Sequence, residues 1–417
     1  MLVALLVFAV LSIIPATDKV SAITRVIYFI NLSLAGMVIY YLAGVKKDFA
    51  VRLVKNITIP VIIVIVAGFI QLISTYFIDI YQFMRIWGEG IQMRQFGVLW
   101  SEIAVRIGNT WFAYYGPQLS LRVFSLFPDS HSFPQFVLLG LPALFAVSLL
   151  KITNYELRIT NLKDMIKTRA NMRILWIPAA FLIAILSGTR GIWAASVGVL
   201  VIIAGVICWM HRSKAGKNHK NIFKYISSYM LVFFLLFTIA YPIFVSPQFL
   251  LSKGDWGLFG ERIKSIIDFG ETSNSQRIEI WKASLESIRE RPLLGVGIGN
   301  FPVVLDQRIF LARAGSSAHN IYLHIAAEMG ILALIITVWF LWLVFKKSYD
   351  NFISDPPALG YSEAKQDPLL VTYFGATLLF VPWVLIYSLT DVALFDERSF
   401  LLFVITIALI LSNKKPD

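Results

Sequence analysis

A single cysteine, Cys208, stands in 417 residues. Its solitude excludes an intrachain disulfide and any thiol-ligand cluster. Charge is scarce too: Asp, Glu, Lys and Arg make up 15% of the chain, against about 25% in soluble domains. Hydrophobic residues make up 58%, and the mean hydropathy is +0.72. A chain so apolar cannot cover a water-facing surface, so an ordinary soluble fold is excluded and a polytopic membrane protein is expected. Metal signatures are missing: His131, His211, His219, His319 and His324 form no His-Glu-x-x-His pattern, and no close Asp-x-Asp pair accompanies them. The net charge of +12 carries no nucleic-acid motif, because the basic residues are scattered between apolar runs. Leu2 to Pro15 lacks the basic n-region and small-residue cleavage site of a leader, so it reads as a retained first span.

What is present is a series of apolar runs. They fall near 1–17, 23–45, 57–78, 133–150, 171–188, 191–210, 223–245, 321–345, 368–389 and 399–412. Each approaches the ~20 residues a helix needs to cross a bilayer, so ten spans in one integral domain, 1–417, are expected. Alternate connections (46–56, 151–173, 211–224, 346–367 and the tail) hold 20 of the 37 Lys and Arg in fewer residues than the intervening loops. By the positive-inside bias those connections are cytoplasmic, as are both termini.

Two segments on the opposite, outer side are too long to be simple connections: 79–132 and 246–320. The first contains Trp87, Trp100, Trp111, Tyr114, Tyr115 and Phe124 and is expected to fold against the membrane surface. In the second, Ile278, Trp281, Leu285 and Ile288 recur at helical spacing, which predicts an amphipathic helix ending before Pro292, with Arg277 and Trp281 on one face. Inside the spans only His324 and Glu328 are clearly ionisable; four residues apart, they read as a satisfied pair packing one helix. Neither an internal repeat nor a pair of broken helices is evident, which argues against a transporter. The glycines of Gly295-Val296-Gly297-Ile298-Gly299-Asn300 lack the strand-turn-helix context of a nucleotide loop and are read as a tight turn approaching a neighbouring helix or a substrate.

Three features gather at the external face: Arg190 in Ser187-Gly188-Thr189-Arg190-Gly191, Arg277, and His319-Asn320 before a span. Arginine presents a permanently charged fork that binds phosphate oxygens in pairs, so two converging arginines would suit a diphosphate. Histidine can take a hydroxyl proton near neutral pH. The structural alternatives are a snorkelling Arg190, a solvated Arg277 and a helix-start role for His319 with Asn320 as cap. Arg122, ahead of the apolar Val123 to Phe127 run, is a further candidate for phosphate or acid groups. His324 with Glu328 fits packing better than catalysis.

The Thr189-Arg190-Gly191 turn, the Arg277…Trp281…Arg291-Pro292-Leu293-Leu294-Gly295-Val296-Gly297 stretch and Ala318-His319-Asn320-Ile321-Tyr322-Leu323…Glu328-Met329-Gly330, in that order, resemble the O-antigen ligase and polymerase superfamily. The late Ser388-Leu389-Thr390-Asp391-Val392 segment, followed by Arg398, is similar to the ends of O-antigen ligases. The resemblance implies an all-α, GT-C-like fold of about 10–12 transmembrane helices in the bacterial inner membrane. It also implies an inverting glycosyltransferase, independent of metal and cofactor, acting on the periplasmic face. Its donor would be a glycan on undecaprenyl diphosphate. In a ligase the acceptor is a sugar hydroxyl of lipid A–core; in a polymerase it is another lipid-linked repeat. The resemblance carries catalytic roles onto Arg190, Arg277 and His319, with Arg122, Asn320, Trp281 and Tyr322 as substrate-binding candidates. A lipid-linked glycan transporter is the remaining alternative.

Overall fold

The structure, a computed structural model, describes residues 1–98, 111–115, 118–149, 171–213, 215–251, 272–306, 317–354 and 367–413. In hydrocarbon no water can satisfy a peptide group, so each apolar run closes its own hydrogen bonds as a helix. The runs become α1 (Leu2–Leu11), α2 (Lys19–Val45), α3 (Lys47–Ser74), α4 (Ser132–Leu149), α5 (Trp176–Leu186), α6 (Arg190–Arg212) and α7 (Lys217–Phe244). After them come α8 (Thr272–Glu290), α9 (Ile321–Met329), α10 (Ile331–Ile353), α11 (Pro368–Tyr387) and α12 (Glu397–Ser412). Among the described residues seven helices are long and apolar enough to cross a membrane: α2, α3, α4, α6, α7, α10 and α11. The protein is a multi-pass, mostly helical membrane protein. Runs 1–17, 171–188 and 399–412 form the shorter apolar helices α1, α5 and α12.

Helix starts are local. Asp18, Asn320, Asp367 and Asp396 each accept hydrogen bonds from amides of the first turn they precede, satisfying donors that would otherwise be orphaned. The most enclosed span is α4, which packs on α3, α5, α11 and α12; α11 is nearly as buried and also packs on α6 and α10. Around this pair the other helices turn apolar faces outward, as lipid permits. At one end Ser213 shares a 2.6 Å hydrogen bond with Tyr349, and Asn351 donates to the Ile410 carbonyl. The described parts of 79–132 and 246–320 pack at the other end, where Arg398 donates to Leu126 O and Trp281 to Ala318 O.

The segment 79–132 carries short helical turns, with Met84–Gln92 in π-helical form, followed by an antiparallel hairpin of β1 (Phe112–Tyr115) and β2 (Gln118–Leu121). Trp111 stacks on Phe124 at 4.7 Å, both fully buried, so these aromatics are protein core and not a membrane-facing belt. Trp100 lies outside the described residues.

The run 321–345 is not one span. Gly330, at φ +90°, separates α9 from α10. A Cβ there would overlap the Leu293 carbonyl. The residues after α8 fill the break: Ile331 N donates to Pro292 O at 2.8 Å, Val296 N to Ala327 O at 2.8 Å and Gly297 N to Glu328 O at 3.0 Å. The glycine-rich segment thus closes the end of a broken helix and then docks on the α1–α2 connection, where Asn300 Oδ1 accepts from Asp18 N at 2.7 Å. The expectation of a single span over 321–345 is corrected here. Its physical basis is a partner segment more than thirty residues upstream, which supplies the peptide groups the break leaves open.

Candidate functional site

The turn after α5 is the first wall of the site. Ser187 Oγ donates back to Ala184 O at 2.7 Å, and Thr189 Oγ1 donates to Ser130 O at 2.7 Å, so the chain leaves α5 tied to the residues that precede α4. Arg190 is the first residue of α6 and is partly exposed. Its neighbour Gly191 lies against Tyr387 and Thr390 at the end of α11. Arg122, directly after β2, is only 8% exposed. Its Nε donates to Ser187 O at 3.4 Å, and its Nη2 reaches Thr189 Oγ1 at 3.5 Å and His131 Nε2 at 3.2 Å.

His131 joins this wall to the next. Its Nδ1 lies 2.7 Å from Asp391 Oδ2, and the other carboxylate oxygen accepts from Val392 N at 2.8 Å and Ala393 N at 3.0 Å. Burial opposes the charge on Asp391, but His131, His319 and Arg277 outweigh it and hold the carboxyl well below the usual range. It is an anion at any physiological pH.

The third wall comes from α8 and the residues before α9. Trp281 Nε1 donates to Ala318 O at 2.9 Å. Arg277, one turn earlier on the same face, acts electrostatically on both His319 and Asp391. Asn320 Oδ1 caps α9 through Tyr322 N at 3.0 Å and Leu323 N at 3.1 Å, while Ile321 N donates to Ser388 O at 2.8 Å. Between these anchors His319 adopts φ +45°, the left-handed region that a side chain rarely enters. Burial holds its imidazole below the ordinary value; Asp391 pulls the other way, and Arg277, His131 and His324 add to the depression. His319 is therefore neutral at pH 7. Its Nδ1 is buried with no hydrogen-bond partner among the described residues.

Of the expected residues, the structure brings Arg277 and His319 together around Asp391, sets Arg122 behind them, and starts α6 at Arg190 beside the turn that carries Asp391. Polar atoms of Asn320, Trp281 and Tyr322 are engaged within the protein, the last through its hydroxyl to Leu385 O at 2.9 Å. His324 Nε2 stands 3.4 Å from Glu328 Oε1, which also accepts from Phe301 N. That pair is a packing element. His131 and Asp391 went unassigned in the sequence reading because they are 260 positions apart, and the only local signal was a polar residue beside a span end in each case. Among the described residues no three His, Cys, Asp or Glu side chains gather as a metal set.

Beside the site opens a cavity of about 630 Å³ between α1, α2, α9, α10 and α12. Phe29, Met37, Phe340 and Phe403 line it, and Ser317 and Tyr322, which flank His319, belong to its wall. The arrangement therefore couples an apolar slot to a polar end holding a cation, a carboxylate and a neutral imidazole. Such an end can hold an anion and accept a proton.

Residues 175–338, which include Arg190, Arg277 and His319 but not Arg122, His131 or Asp391, match the model of a protein family described as O-Antigen ligase. Among curated proteins none matches.

Proposed function

We propose that the protein is an O-antigen ligase, a reading supported by the match of residues 175–338 to the family described as O-Antigen ligase. It moves a glycan from undecaprenyl diphosphate to a sugar hydroxyl of lipid A–core, on the periplasmic face of the inner membrane. The observation that carries this reading is His319: a neutral imidazole whose buried nitrogen has no partner among the described residues, under the charges of both Arg277 and Asp391, with its neighbours Ser317 and Tyr322 in the wall of an apolar cavity.

The polyprenyl chain lies in the cavity, and the diphosphate faces Arg277 and Arg190. The acceptor oxygen attacks the anomeric carbon as the bond to the diphosphate oxygen breaks, and the electron pair leaves with undecaprenyl diphosphate. Charge grows on that leaving oxygen, so preformed guanidinium donors stabilise the transition state more than the ground state. No metal is required for that charge. His319 takes the proton of the attacking hydroxyl, and the nearby Asp391 carboxylate stabilises the imidazolium that results. A single displacement inverts the anomeric centre. Trp281, Asn320 and Tyr322 place His319, and Arg122 supports the Arg190 turn from behind.

The test is transfer by purified protein in EDTA, from an undecaprenyl-diphosphate glycan to lipid A–core, followed by acceptor mass. Arg277→Ala should lower the rate about 10²–10³-fold, the range for losing one preformed donor, and His319→Ala about 10²–10⁴-fold, the range for a general base. Arg190→Lys keeps the charge and loses the fork; wild-type rates in that variant would refute paired diphosphate contacts there. A donor that lengthens on its own carrier while lipid A–core stays unmodified would make the protein a polymerase. Movement of donor across a bilayer without transfer would make it a transporter.

A further inference from the structure

We infer that His131 is a positioning residue for the transfer, aiming the Asp391 carboxylate at His319 through a ring whose orientation Arg122 fixes. The inference rests on the ligase reading above. A guanidinium has five donors and no acceptor, so the 3.2 Å contact between Arg122 Nη2 and His131 Nε2 requires the imidazole nitrogen to accept. The proton of the neutral ring must then sit on Nδ1, where it is donated to Asp391 Oδ2 over 2.7 Å. Two backbone amides already specify the other oxygen of that carboxylate. His131 sets the one direction that the backbone leaves open.

The same contact prevents His131 from acting as a second base, because the lone pair that would take a proton is held by Arg122. What the ring does is join two arms of the site. Arg122 also holds Ser187 O and Thr189, in the turn from which Arg190 begins α6. On the other arm Asp391 favours the charged form of His319, the form created as the acceptor proton is taken. A loose Asp391 would leave binding of the donor intact and weaken only the step in which that charge appears.

Three substitutions separate these roles. His131→Asn keeps a donor near the Nδ1 position, His131→Gln keeps an acceptor near Nε2 for Arg122, and His131→Leu keeps neither. Losing a hydrogen bond to a charged group corresponds to about 10–100-fold. His131→Leu and His131→Gln should therefore lose about 10–100-fold in kcat with donor KM within about threefold and thermal midpoints near wild type. His131→Asn should recover most of kcat. The double variant His131→Leu/Asp391→Asn should be no slower than Asp391→Asn alone, because residues acting as a unit are not additive. Equal rates for the asparagine and leucine variants, losses confined to donor KM, multiplicative losses in the double variant, or collapse of all three proteins would each overturn the assignment. Wild-type transfer with an unaltered His131→Leu variant would overturn it alone. A wild-type protein that transfers nothing would overturn the ligase reading and this assignment together.

Discussion

Gly191→Ala should slow transfer far more than it destabilises the protein. Gly191 is the second residue of α6, beside Arg190, and an added Cβ would stand 2.5 Å from Thr390 Oγ1 and 2.6 Å from the Tyr387 ring. Ordinary contact begins at 3.4 Å, so the start of α6 must move about 0.9 Å from the Tyr387–Asp391 turn. Neither neighbour yields easily: Tyr387 is 1% exposed, and Thr390 Oγ1 is tied to the Tyr387 carbonyl at 2.9 Å. Overpacking of this kind costs about 1–3 kcal/mol, and the better helix propensity of alanine returns about 1 kcal/mol. The net is about 0–2 kcal/mol. A 1 Å misplacement of a positioning group, by contrast, can cost about 10²-fold in rate. The assay pairs initial transfer rates at saturating donor with thermal denaturation in detergent, using Gly205→Ala on the same helix as control, since a Cβ there meets nothing within 4 Å. The expected result is a 10–100-fold slower Gly191→Ala enzyme, by that misplacement range, with a midpoint lowered by a few degrees, and an unchanged Gly205→Ala enzyme. A Gly191→Ala rate within about threefold of wild type would show that the spacing between Arg190 and the Asp391 turn does not govern transfer.

Two further outcomes follow from the site. His319 has a lowered pKa, so it is already neutral at pH 7 and is protonated only below its ordinary 6.5. Transfer should be flat from about pH 7 to 8 and fall on the acid side with a midpoint below 6.5. Asp391 raises that pKa while Arg277, His131 and His324 lower it, so Asp391→Asn should shift the midpoint further toward acid; a midpoint above 7 in wild type would contradict the assignment. Ser33→Trp places a ring in the cavity wall. It should raise KM about tenfold for an undecaprenyl donor, the loss expected from about 1–2 kcal/mol of displaced burial, and leave a short-prenyl donor unaffected; equal effects on both would move the lipid chain elsewhere.

Hydropathy made the spans legible because hydrocarbon imposes both their length and their backbone pairing. The amphipathic α8 was legible from Ile278, Trp281, Leu285 and Ile288, and the α9 cap from Asn320, since each depends on neighbours within one or two turns. The Gly330 break escaped notice because apolar residues continue on both sides of it, and the groups that complete it, Pro292 to Gly297, belong to another segment. The hairpin at 112–121 escaped because its two strands are four residues each and pair only with one another, too short for an alternating pattern to stand out. At the site, Arg190, Arg277 and His319 could be named one by one. Their carboxylate could not, because Asp391 is defined by His131, and no periodic signal links two residues 260 positions apart.

The left-handed His319 is the place where these distant segments are most clearly interdependent. A non-glycine residue in that region costs about 1–2 kcal/mol, so something must hold it there. Four hydrogen bonds do: Trp281 Nε1 donates to Ala318 O, Tyr322 N and Leu323 N donate to Asn320 Oδ1, and Ile321 N donates to Ser388 O. Trp281→Phe removes the first while keeping an aromatic ring beside Ala318. A neutral hydrogen bond contributes about 0.5–1.5 kcal/mol, comparable with the backbone cost, so a large fraction of molecules should relax to an ordinary φ and withdraw the imidazole from Arg277 and Asp391. The expected consequence is a kcat about 3–10-fold lower, the rate equivalent of that free energy, with donor KM unchanged. A variant at wild-type kcat would mean that Asn320 and Ser388 hold His319 unaided, and a loss expressed only in KM would mean that Trp281 contacts substrate itself.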